Sequence, residues 1–170
     1  MRRRTRPPVE VAAGEKVLAW AQAAGGEVVA GTRDALYLDG ARVPWEEVES
    51  ADWDLDHERF RVSEVGTWGE PRPVHTFTIR EPGNLLVLVR ERVTASVVLQ
   101  RHVPYSGRRG LRVVARRAPR GDRGISWFVE YDEGVEPDDP DVQATVAAAL
   151  AAARDEVGDP GPAATEGDFS

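Results

Sequence analysis

Residues able to do chemistry are few in this chain, and their spacing argues against most catalysts. Histidine occurs at His57, His75 and His102, with no two at a metal-ligand interval. Asp52, Asp54 and Asp56 alternate, which on a strand sets three carboxylates on one face, a geometry suited to a divalent cation or a basic partner. A solvated outer face opposite Ala51, Trp53 and Leu55 is the simpler expectation for that strand. No cysteine is present, which excludes thiolate nucleophiles, disulfides and cysteine metal sites. The serines lack a G-x-S-x-G elbow, and Gly107-Arg108-Arg109-Gly110 lacks both the Lys-Ser/Thr ending and the following helix of a phosphate loop. The reading is non-enzymatic, with no catalytic residue, metal or cofactor expected.

Charge is segregated. Ten arginines lie between Arg90 and Arg123 against only Glu91 and Asp122, so the rest of the chain is strongly acidic. If Leu111, Val113 and Ala115 face inward on a strand, Arg112 and Arg116 share the outer face with Val114. The candidate anion-binding set is then Arg108, Arg109, Arg112, Arg116, Arg117 and Arg120. The competing explanation, balance of the molecule's own acidic surface, is favoured. All basic residues but Lys16 are arginine, a pattern that GC-rich codons give, so arginine here is weaker evidence of anion recognition. Of the five tryptophans, Trp20, Trp45, Trp53 and Trp127 fall in expected strands and read as core. Trp68 stands in a glycine-bounded loop and is the candidate partner contact.

The elements that must position these residues follow from 170 residues, 41% of them hydrophobic and 30% charged, with a net charge of -7. That is enough for one core or two small ones. No apolar run approaches the roughly 20 residues of a membrane span, and the basic start is followed by Glu10 and Glu15 in place of a signal-peptide core. A cytoplasmic protein without a transmembrane segment is expected. Short apolar runs at 17–20, 28–30, 35–38 and 43–45, broken by Gly25-Gly26, Thr32-Arg33-Asp34 and Asp39-Gly40, read as four strands. Alternation over 48–55, 60–62 and 75–79 adds three more. Asn84 is placed to cap a helix from about Leu85 to Ala95, on which Leu85, Leu86, Leu88, Val89 and Val93 form one broad apolar face. Strands over 97–103, 111–116 and 125–131 follow. The last element is a helix capped by Asp139, opened by Pro140 and stopped by Gly158. Residues 1–13 and 158–170 read as disordered tails.

Seven short strands followed by a helix is the order of a pleckstrin-homology-like domain. The wording of the first half, Gly14-Glu15-Lys16-Val17-Leu18, Thr32-Arg33, Leu36-Tyr37, Gly40 and Val43-Pro44-Trp45-Glu46-Glu47-Val48, resembles bacterial PH-like and GRAM-like domains. The whole chain resembles a family of small actinobacterial proteins. The fold class expected is mainly β (α+β): a PH-like bent sheet of seven strands plus helix over 14–95, then an antiparallel βββα region over 96–157 packed on it as one continuous unit. The resemblance implies a binding scaffold and leaves the ligand open. The first functional reading is a module that holds a protein or peptide partner. The second, from a different class, is binding of a polyanion, either nucleic acid or an anionic membrane surface, through the arginine-rich 101–123 region. The third is a metal-dependent enzyme using Asp52, Asp54 and Asp56. Oligomeric state is not legible.

Overall fold

The computed structural model describes residues 6–66, 70–119 and 124–159. Among them the fold is mainly β: three antiparallel sheets and two helices. The chain divides into two compact units, one running up to Val97 and joined by the segment after Arg116, the other formed by Val98–Arg116 and the chain from Ile125. The sequence suggested one continuous unit.

The first unit opens with β1 (Ala19–Gln22), β2 (Val28–Gly31), β3 (Ala35–Leu38) and β4 (Ala41–Pro44), joined in chain order as one sheet. The β3-β4 turn is made by Asp39 and Gly40 at φ 50 and 90, the positive pair that a two-residue hairpin of type I′ needs. The 44–47 step is a short 3-10 turn, Trp45–Glu47, which carries Trp45 into the core with no exposure and not along a strand as expected. A second sheet follows, β5 (Val48–Asp54), β6 (Arg59–Glu64) and β7 (Val74–Thr78), in the order β5-β6-β7. The seven strands therefore form two sheets, not one bent sheet. They are tied where the Ala24 amide donates to the Thr78 carbonyl at 2.8 Å.

Helix α1 (Leu85–Ser96) closes this core. Leu85 and Val89 bury among Leu36, Val43, Trp45, Phe60, Val62 and Ile79. Asn84 precedes the helix without capping it: its side chain makes no capping hydrogen bond, and its carbonyl accepts from the Leu88 amide at 3.1 Å. The helix seats closely on β2, because a Cβ at Gly31 would lie 2.6 Å from Leu88 Cδ2. Alternation on β3 buries both of its faces. Leu36 and Leu38 enter the core, whereas Ala35 and Tyr37 are covered by Val9, Val11, Val17 and Trp20. Val9 and Val11, assigned from sequence to a tail, thus line the outer face of the first sheet.

The second unit pairs β8 (Val97–Ser106), β9 (Arg109–Arg116) and β10 (Ser126–Tyr131) in the order β10-β9-β8, with α2 (Pro140–Val157) after them. Leu111, Val113 and Ala153 form its core with Leu99, Val103, Trp127, Val129, Val146 and Leu150 around them. Asp139 caps α2 by accepting from the Asp141 amide at 2.8 Å, and Gly158 ends it at φ 68. Asp159, read as tail, accepts from Trp127 Nε1 at 2.7 Å.

Candidate functional site

Recesses of differing chemistry open on the first unit among the described residues, and three of them bear on function. The first, about 320 Å³, is charged and is lined by Glu15, Asp34, Arg42 and Glu46 with Ala12, Pro44 and Pro119 among its neighbours. Its Glu15 carboxylate, with a side chain only 5% exposed, accepts hydrogen bonds from Tyr37, from Arg42 Nη2 at 2.8 Å and from Thr32 Oγ1 at 3.3 Å. Burial opposes ionisation of Glu15, but the hydrogen bonds from Arg42, Tyr37 and Thr32 outweigh it and hold its pKa below the usual carboxylate range. Burial, reinforced by the Glu15 charge, pushes the Tyr37 hydroxyl above its ordinary value. Thr32 extends the network: its hydroxyl accepts from the Asp34 and Ala35 amides, and its carbonyl accepts from Trp45 Nε1 at 3.0 Å. Every oxygen of Glu15 is thus spent on the fold, and the arrangement is structural. The second recess, lined by Trp20, Gln22, Ala24, Arg80 and Glu81, is broad and polar.

The third recess has the character of a binding groove. It measures about 390 Å³ and runs between β5 and α1, with Ala51 and Trp53 on one wall, Leu86, Val93 and Thr94 on the other, and Phe60 and Val89 at its base. Asp52 and Arg90 stand at the rim. Trp53 and Leu86 are only half-buried, so apolar surface faces water here, and a mostly apolar recess with a few polar groups is the usual composition of a ligand site. β5 is an edge of its sheet, so one row of its main-chain amides and carbonyls has no strand partner within that sheet. Sequence reasoning assigned Trp53 to the core and placed Leu86 and Val93 on one broad apolar face of the helix. The broad apolar face read on α1 is only partly covered: Leu86 and Val93 are partly exposed, and Val87 is 58% exposed.

The residues singled out from sequence are dispersed. Asp52 and Asp54 are exposed on β5, opposite Arg61 and Arg59 in the register of β6. Asp56 leaves that face, because the strand ends at Asp54 and Asp56 lies in the turn, together with Leu55, which is 75% exposed instead of inward. Asp54 is occupied in holding the turn, accepting from the Asp56 and His57 amides and facing His57 Nδ1 at 2.7 Å. The His57 hydrogen bond is the chief cause of its lowered pKa. His75 and His102 likewise face Glu64 at 2.6 Å and Asp132 at 3.0 Å. Among the described residues no cluster of three or more metal-ligand side chains forms.

The arginine set does not form one outer face. Arg116 is 6% exposed and Val114 3%, so the expected outer side of β9 is covered at those two positions, while Arg112 on the same side stays partly exposed. Burial pulls the Arg116 guanidinium below its ordinary pKa, and the charge of Glu130 partly offsets this. Arg112 Nη1 lies 3.5 Å from Glu130 Oε2, and Arg109 lies against Gly134. Arg108 and Arg117 are exposed, on a turn and after the end of β9. Arg120 and Trp68 lie outside the described residues. Among those residues no helix is long and apolar enough to cross a membrane. No protein-family model, curated protein or solved structure matches the chain.

Proposed function

We propose that the chain is a non-enzymatic binding module that receives an extended apolar segment of a partner protein in the groove between β5 and α1. The observation that carries this reading is the coincidence of an apolar groove with a sheet edge. A peptide laid along β5 would meet main-chain hydrogen-bonding groups on one side and Trp53, Leu86 and Val93 for its side chains on the other. The PH-like resemblance of the first half supports a scaffold of this kind, and the groove supplies contact surface, not a nucleophile. Against the polyanion alternative, the arginine-rich strand buries Arg116 and sets Arg112 beside Glu130.

The test is a peptide array probed with the full chain and with Thr94→Trp, which fills the groove from an exposed helix position without changing charge. The wild type is expected to retain peptides bearing an aromatic or branched aliphatic residue, and Thr94→Trp to lose them while keeping the wild-type circular dichroism spectrum. Retention of the same peptides by Thr94→Trp would refute the groove as the site.

A further inference from the structure

Resting on that reading, we infer that the bound segment carries a carboxylate beside its apolar anchor, received by Arg90. The partner is thus an acidic-apolar peptide. Arg90 is exposed on α1 at the lip of the groove, one helical turn from Leu86 and from Thr94, so a side chain next to an anchor seated against Leu86 and Trp53 comes within its reach. Among the described residues Arg42, Arg72, Arg101 and Arg112 each pair with a carboxylate, at Glu15, Glu49, Glu156 and Glu130. Arg90 has no such ion pair among them. The only other charge on the lining, Asp52, stands on the β5 side, opposite Arg61 in the register of β6. What the α1 side of the groove offers a ligand is apolar surface and a guanidinium with no ion pair among the described residues, whose planar fork suits a carboxylate.

A fatty acid also joins an apolar body to a carboxylate. The peptide is favoured because a fatty acid has nothing to offer the main-chain edge of β5, which an extended peptide can pair at alternate residues.

The experiment measures binding of fluorescein-labelled peptides, taken from the array, by polarisation on the full chain. Each peptide is made with Asp, Asn or Lys beside the anchor. The Asp form is expected to bind about tenfold more tightly than the Asn form to the wild type, and Arg90→Gln to bring the two forms to equal affinity. Arg90→Glu should favour the Lys form. Equal affinity of Asp and Asn forms for the wild type, with binding still lost in Thr94→Trp, would overturn the carboxylate inference and leave the binding module standing. Absence of any groove-dependent peptide, or palmitate binding in its place, would overturn both.

Discussion

The Tyr37 hydroxyl on β3 donates a hydrogen bond to the carboxylate of Glu15, which the chain supplies before its first strand. Arg42 on β4 and Thr32 after β2 complete the set of donors. The outer face of the first sheet is therefore closed by a part-buried, charged clasp and not by apolar packing alone. Tyr37→Phe deletes one donor, leaves the carboxylate short of a partner and orphans the Ala12 amide, which donates to the same hydroxyl at 2.9 Å. Its expected cost is about 1 to 2 kcal/mol, read by urea denaturation monitored at the tryptophans.

The same clasp sets a pH dependence. Glu15 titrates lower in the folded chain than in the unfolded one, so the unfolded state takes up its proton first as acid is added. Its contribution to stability is complete above the ordinary glutamate range and is lost as pH falls through the lowered folded value. Glu15→Gln should flatten that part of the stability curve. A wild type and a Glu15→Gln variant that lose stability in parallel below pH ~5 would remove Glu15 as the cause.

In the second unit the β8-β9 hairpin leaves no room at Gly110, where a Cβ would lie 2.0 Å from the Val103 carbonyl oxygen. The obstacle is backbone, which cannot rotate aside. Gly110→Ala is expected to cost roughly 2 to 3 kcal/mol, whereas Gly107→Ala, in open space at φ 62, meets only the milder penalty of a left-handed backbone. Comparing the two melts separates the clash from the conformational effect.

Arginines on and beside β9 should divide by burial. Arg116→Ala is expected to lower stability by about 2 kcal/mol through lost packing and an exposed core edge, with no matching change in retention on heparin at low salt. Arg108→Ala and Arg117→Ala, both exposed, should stay within about 0.5 kcal/mol of wild type. A loss of heparin retention confined to Arg116→Ala, with stability unchanged, would restore the strand as an anion-binding face.

The order of strands and helices was legible in the sequence because turn chemistry announces itself locally. Asp39-Gly40 and the Asp139-Pro140 to Gly158 frame mark their elements without reference to anything distant. Alternation correctly paired Phe60 and Val62 as inward residues of β6. It failed at Leu55, because the same apolar/polar rhythm runs past the end of the strand into a turn, and at Arg116, because periodicity reveals which side chains share a face but not whether that face is covered. The groove was invisible for a related reason. Pattern identifies Trp53, Leu86 and Val93 as apolar, and only the spacing of α1 from β5 leaves them incompletely buried. The clasp is only partly legible: Glu15, Thr32-Arg33 and Leu36-Tyr37 belong to the segments that resemble PH-like domains, while their convergence on one carboxylate depends on the fold.

The most direct test of the account is amide nuclear magnetic resonance on the full chain titrated with an array-selected acidic-apolar peptide. Shifts and hydrogen-exchange protection are expected to concentrate at residues 50–54 of β5 and 86–94 of α1, with intermolecular contacts from the peptide anchor to Trp53 and Leu86. Perturbation centred instead on residues 101–117, with β5 and α1 unchanged, would contradict the groove and with it the function proposed.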